Sequence, residues 1–418
     1  MNPTTPNQYA VDNASILYLS LMRRNHANSY RFTMTMKEPV CPEKLQLAVD
    51  RVYRRFPTVI SGFRPGFFRY LQVPATEPPL VRRDPGMLHT MTAEEIRQCP
   101  FRVFHSGCDI SIEAFHALTD GYGAIACFTT LVAEYLRLKH DAEIPVATPL
   151  LNPEDQPNAD EVVDSYLDYQ EGKPVHLPSR YAYQLPGPAP TWNGIRTSTF
   201  TADTRKLLEI SRKHGVSITT LISAVMAVSV MEIQQRHESK AAKPVRIMVP
   251  VDLRRQFPSK TLRNFILYAL PTMEPREKNR PFADLLRSFT QQMRTQTEQK
   301  LLASIMAYNV RTQRNWLFRA IPLSIKLAAM RIAYRYFGES NSSVTVTNLG
   351  NITLPPEMQQ HVKDITVYLT PRTRSPYNCS VIAYDGKLHI IVSRFGESTE
   401  LEEVFFRNLD QVLQGAAL

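Results

Sequence analysis

The stretch Phe115-His116-Ala117-Leu118-Thr119-Asp120-Gly121 sets an imidazole, a carboxylate and a glycine at fixed spacing between two segments of different periodicity. Upstream, the apolar Ile110, Ile112 and Ala114 alternate with the polar Asp109, Ser111 and Glu113, a two-residue period that predicts a strand and puts His116 on its inward face. Downstream, Ile125, Phe128, Leu131, Val132, Tyr135 and Leu138 recur at the spacing of one helical face, which ends near the charged run Arg137 to Asp141. His116 therefore falls at a strand end, just before a helix. A lone histidine on an apolar face is more often structural. This junction, with a carboxylate four residues on, makes it a candidate catalytic group instead.

Beyond the helix the pattern breaks. Pro145 to Pro190 holds nine prolines and an acidic patch from Glu154 to Glu171, which predicts a crossing linker with one short helix around Ala159 to Tyr169. Periodicity then resumes with a strand near Thr197 to Phe200, a helix from Ser217 to His237 with Ser217 as N-cap, and a strand from Val245 to Val251. Cys379 to Tyr384 and Leu388 to Ser393 read as a hairpin closed by Asp385-Gly386, a dipeptide suited to a primed turn. A chain of 418 residues exceeds what one core usually serves, so two lobes are expected. We place them at 1–145 and 193–418, with the linker at 146–192.

Net charge is +10 at pH 7 and the sequence pI is about 9.3, a balance that favours anionic partners or simply a solvated basic surface. The basic residues are dispersed and no nucleic-acid reading motif occurs, so nucleic acid is not expected. Five cysteines, Cys41, Cys99, Cys108, Cys127 and Cys379, show no Cys-x-x-Cys pairing; they suggest reduced cytoplasmic thiols and no metal site. The polar N-terminus carries no secretory pattern. The apolar stretch Leu317 to Phe337 is interrupted by Arg319, Pro322, Lys326, Arg331 and Arg335, so it reads as an amphipathic helix with a basic side rather than a membrane span. Arg311 to Arg335 could touch a membrane surface or pack its apolar side within a lobe.

His116, Asp120 and Gly121 resemble the His-His-x-x-x-Asp-Gly motif of the CoA-dependent acyltransferase superfamily, with Phe115 where the first histidine often stands. Three further segments agree with it in order. Leu45-Gln46-Leu47-Ala48-Val49 through Arg54-Arg55-Phe56-Pro57 is similar to its first helix. Val249-Pro250-Val251-Asp252-Leu253-Arg254, followed by Leu262-Arg263-Asn264-Phe265, looks like a second-half strand and the Asn-containing strand after it. Val344-Thr345-Val346-Thr347-Asn348-Leu349-Gly350 resembles the Thr-Asn-Leu-Gly segment of the alcohol acetyltransferase branch. The plant-type Asp-Phe-Gly-Trp-Gly motif is absent.

The resemblance implies an α/β (α+β) chloramphenicol-acetyltransferase-like fold: two lobes, each a mixed sheet with flanking helices, around a central tunnel. It implies acyl transfer from acyl-CoA, a co-substrate and not a bound cofactor, to an alcohol or amine. His116 would be the general base, suited by an ordinary imidazole pKa of about 6.5. Asp120 would point away from substrate and pair with Arg254. Gly121 would let the chain turn tightly and approach a neighbour. Asn264, Thr347 and Asn348 are the residues expected to line the channel and meet the oxyanion. No Gly-x-Ser-x-Gly motif offers a serine nucleophile. The alternatives are a free-standing condensation-type protein fed by an acyl carrier protein, and an inactive binding module of the same fold. We expect a cytoplasmic monomer.

Overall fold

The computed structural model describes residues 8–22, 28–86, 88, 90–169, 172–176, 180–187, 195–238, 243–334, 338–372 and 375–415. Its first strands are β1 (Tyr9–Ala10), β2 (Ser29–Met36), β3 (Ser61–Pro65), β4 (Tyr70–Pro74), β5 (Val81–Arg83), β6 (Phe101–Ser106) and β7 (Asp109–Phe115). The later ones are β8 (Arg196–Asp203), β9 (Val245–Asp252), β10 (Ile266–Ala269), β11 (Thr272–Met273), β12 (Val344–Asn351), β13 (Val362–Leu369), β14 (Tyr377–Tyr384) and β15 (Lys387–Arg394). The helices before residue 200 are α1 (Asn13–Leu21), α2 (Pro42–Val52), α3 (Ala93–Gln98), α4 (Gly121–His140) and α5 (Ala159–Val162). After them come α6 (Thr204–Lys213), α7 (Ile218–His237), α8 (Phe282–Gln296), α9 (Gln299–Arg314), α10 (Trp316–Ala320), α11 (Leu323–Ala333), α12 (Pro356–Gln359) and α13 (Glu400–Leu413).

Two mixed sheets organise the molecule, beside a small β1-β4-β3 sheet. The first runs β13-β2-β7-β6-β5, and the second β10-β9-β12-β14-β15-β8 with β11 paired to β9. On the first sheet α2 buries Leu45, Ala48, Val49 and Val52, the i, i+3, i+4, i+7 stripe of an amphipathic helix, and packs with α4 into one core. The second core gathers around α7 and α13. Ser217 caps α7 through the Thr220 N–H. That helix is apolar and long enough by composition to cross a membrane, but most of it is buried in this core. Asp385 and Gly386 both take positive φ, 47° and 77°, the geometry of a primed turn, and β14 pairs antiparallel with β15 across it.

β13 belongs to the first sheet although it lies far into the second half of the chain. It pairs antiparallel with β2 from Ile365 opposite Met34 to Leu369 opposite Tyr30. Its alternation buries Val362, Ile365 and Val367, so one apolar face covers the first core from an edge position.

Three local expectations differ from the structure. The helix around Ala159 to Tyr169 is two pieces, α5 and a 3-10 turn at Ser165–Leu167, because Val163 is extended and Asp164 starts a new cap. The stretch from Leu317 is broken at Pro322 into α10 and α11, and residues 335–337 lie outside the described ones. Strand β7 is buried on its polar face as well as its apolar one: Glu113 has no exposed surface and pairs with Arg31 at 2.7 Å and Arg102 at 3.1 Å.

Candidate active site

His116 follows β7 directly, its N–H donating to the Asn28 carbonyl at 2.8 Å. Two aromatic rings hold its imidazole. Tyr18 of α1 stacks on it at 4.4 Å with an interplanar angle of 14°, and Tyr30 of β2 meets it edge-on at 5.1 Å. Burial lowers the imidazole pKa below 6.5, because a charged ring would lose its hydration here. Its own carbonyl, the Asp120 charge and the Asn264 side chain oppose that shift without cancelling it. The shift favours the neutral ring, the state a general base needs.

Asp120 caps α4, its Oδ1 accepting from the N–H groups of Tyr122 and Gly123 at 3.1 and 3.3 Å. Its Oδ2 accepts from Arg254 Nη1 at 2.8 Å and from the Phe265 N–H at 2.9 Å. Arg254 also donates to Asp252, to the Thr261 carbonyl and, at 2.7 Å, to the Arg263 carbonyl, and its guanidinium lies 4.5 Å over the Tyr122 ring. Both side chains are almost completely buried. The carboxylate is therefore spent on a clamp between the His116 loop and the loop after β9. Thr119 strengthens the clamp by donating to the Leu262 carbonyl at 2.5 Å.

Gly121 does not occupy the left-handed region; it is the first residue of α4. The turn therefore does not draw on its freedom at positive φ, but the close approach expected of it is present: a Cβ would come 2.5 Å from the Leu349 side chain. Gly123, which the sequence reading did not single out, is the tighter position. A Cβ there would lie 2.1 Å from the Leu262 carbonyl oxygen and 2.2 Å from Thr119 Oγ1. Gly123→Ala is expected to destabilise the protein by about 1–3 kcal/mol through forced displacement of the clamp, read as a lower urea midpoint.

Asn264 lies in the loop before β10 rather than in a strand. It is fully buried, and its amide reaches Ser15 Oγ at 3.4 Å and the Ala117 carbonyl at 3.5 Å. Its Oδ1 and His116 Nδ1 are both buried and lack a hydrogen-bond partner. Asn348 has partners of its own: its amide donates to Thr219 Oγ1 at 2.9 Å and its Oδ1 accepts the Gly350 N–H at 2.8 Å. Thr347, one residue before, is half-buried. The sequence reading missed Tyr18, Tyr30 and Ser15, because residues far apart in the chain leave no local pattern when they meet.

Tyr18 also lines a cavity of about 260 Å³, with Tyr166, Tyr268, Tyr308, Asn309 and Gln313 among its walls. Helix α1 reaches it through Asn13, Leu17 and Tyr18, and is capped by Asp12, whose Oδ1 accepts the Ser15 N–H at 2.7 Å and whose Oδ2 sits 3.5 Å from Arg263. Burial and the nearby Asp12 charge push Asp164 up to about 7. Between the ordinary carboxylate value and 7 the folded chain holds a proton that the unfolded chain has lost, so acidification through that window stabilises the fold. Asp164→Asn is therefore expected to raise the melting temperature most at about pH 8, less near pH 5, and little below the ordinary carboxylate value, measured by thermal denaturation across that range.

No protein-family model and no curated protein matches the sequence. Solved structures do match. Polyketide synthase associated protein 5 from Mycobacterium tuberculosis superposes with a TM-score of 0.64 at 15% identity, over 98% of this chain and 99% of that one. The trichothecene 15-O-acetyltransferase of Fusarium sporotrichioides gives 0.63 at 10%, over 97% and 95%. The TRI101 protein of F. sporotrichioides, solved with coenzyme A and T-2, gives 0.63 at 13%, over 98% and 99%. Condensation and epimerization domains of peptide synthetases match as well. The chain has the CoA-dependent acyltransferase/condensation-domain fold. In this two-lobed fold the β13 crossing and the Asp120–Arg254 clamp tie one half of the chain to the other beside His116.

Proposed function

We propose that the protein transfers an acyl group from acyl-CoA to a hydroxyl acceptor, with amines as a second acceptor class and His116 as general base. The observation that carries this reading is the setting of His116: an imidazole held between two aromatic rings, with the nearest motif carboxylate committed to Arg254. With the proton on Nδ1, the Nε2 lone pair is free to act as the base. Nε2 takes the acceptor's proton as its oxygen attacks the thioester carbonyl. The tetrahedral intermediate then expels CoA, whose sulfur receives that proton. Thr347 is our choice of oxyanion donor, since Asn348 is held by Thr219. Support for a CoA donor comes from the fold neighbour solved with coenzyme A.

Thiol release from acetyl-CoA and longer acyl-CoAs, with a panel of alcohols and amines, tests the reading. Acceptor-dependent release that needs His116 supports it. A second reading, transfer from a carrier-bound acyl group, is favoured by the condensation-domain neighbours and the net charge of +10. Turnover only with acyl-loaded carrier protein would select it. No turnover with either donor would leave a binding module.

A further inference from the structure

The hairpin β3–β4 and the helices α10 and α11 meet at one corner of the molecule. The Leu323 N–H donates to the Phe67 carbonyl at 2.8 Å, and Lys326 Nζ donates to the Phe68 carbonyl at 2.9 Å and the Arg319 carbonyl at 3.2 Å. Around this junction the large apolar side chains stand in solvent. Trp316 is 74% exposed, Phe67 72%, and Leu317 and Ile325 58% each, with Phe68 beside them. Single exposed apolar residues are ordinary, but five of them on a hairpin and two helices joined by these bonds mark a surface that is covered in use.

The charge around it has one sign. From residue 299 to residue 338 the sequence has seven basic residues and no acidic one, and the hairpin adds Arg64 and Arg69. Arg64, Arg69, Arg311, Arg314 and Arg319 are exposed, and none makes an ion pair among the described residues. Tryptophan, phenylalanine and isoleucine set among unpaired arginines suit the headgroup boundary of a bilayer, where rings and aliphatic chains enter the acyl layer and guanidinium groups meet phosphates. The same helices also reach inward: Phe318 of α10 and Met330 of α11 line the cavity that Tyr18 shares.

We propose that this corner, Phe67-Phe68 with Trp316, Leu317 and Ile325 and the surrounding arginines, docks on an anionic lipid bilayer. Docking there presents the α10–α11 wall of the cavity to the membrane. The proposal does not depend on the chemistry assigned to His116.

Flotation with vesicles of phosphatidylcholine alone, and of phosphatidylcholine with phosphatidylglycerol, tests it on the full chain. The wild type is expected to float with the mixed vesicles and much less with the neutral ones. At about 1 kcal/mol for each basic residue near the surface, Arg314→Glu with Arg319→Glu should weaken partition by roughly thirtyfold or more. Phe67→Ser with Trp316→Ser should remove the binding that survives added salt. Unchanged circular-dichroism melts show that the variants fold. Failure of the wild type to float with mixed vesicles at low salt overturns the proposal, as does undiminished partition of both variants. Retention on an immobilised acidic carrier protein without any flotation would likewise overturn it and assign the corner to a protein partner.

Discussion

His116→Ala is expected to lower acceptor-dependent thiol release by about a hundred- to ten-thousandfold, the range that a positioned general base contributes. The melting temperature should move by only a few degrees, since the backbone bond from His116 to Asn28 does not need the side chain. In the wild type, kcat/KM should climb with pH through a midpoint below 6.5 and then level off. The sign follows from burial: desolvation disfavours the charged imidazole, so less alkali is needed to free the base. The rising limb disappears with the side chain. An alanine variant that retains turnover would remove His116 from the chemistry, and a midpoint above 6.5 would overturn the lowering of its pKa by burial.

Arg254→Ala should give the largest loss of stability. It leaves Asp120 buried against Phe265 without its counter-ion, and it strips donors from the Thr261 and Arg263 carbonyls. Breaking a buried pair from one side costs about 3–5 kcal/mol. Urea unfolding should show that drop in stability together with reduced thiol release, because the clamp holds the loop that presents His116. The pair itself is worth less than the break: Arg254→Met combined with Asp120→Asn should recover part of the loss, since no uncompensated charge then remains. If Arg254→Ala and Asp120→Asn add without coupling, the clamp does not act as a unit.

Much of this was legible before any coordinates. The two-residue period ahead of His116 and the helical stripe behind it are local, and they located β7 and α4. Arg254 was accessible only through motif resemblance, since 134 residues separate it from Asp120. The buried polar face of β7 was not legible, because Glu113 looks solvent-facing until Arg31 and Arg102 are brought to it. Gly123 looked like any helical glycine; its constraint is a carbonyl from a distant loop.

The sequence by itself determined the strand-to-helix junction that carries His116, the cap at Ser217, and the primed turn at Asp385-Gly386. Those depend on dihedral preference, periodicity and hydrogen bonds within a few residues. The tertiary structure alone decided which rings flank His116, which face of Asn264 meets it, that β13 returns to the first sheet, and that Trp316 and Phe67 share one corner. Each of these joins residues far apart in the chain, where apolar burial and the pairing of buried charges select the partner and sequence spacing carries no trace of it.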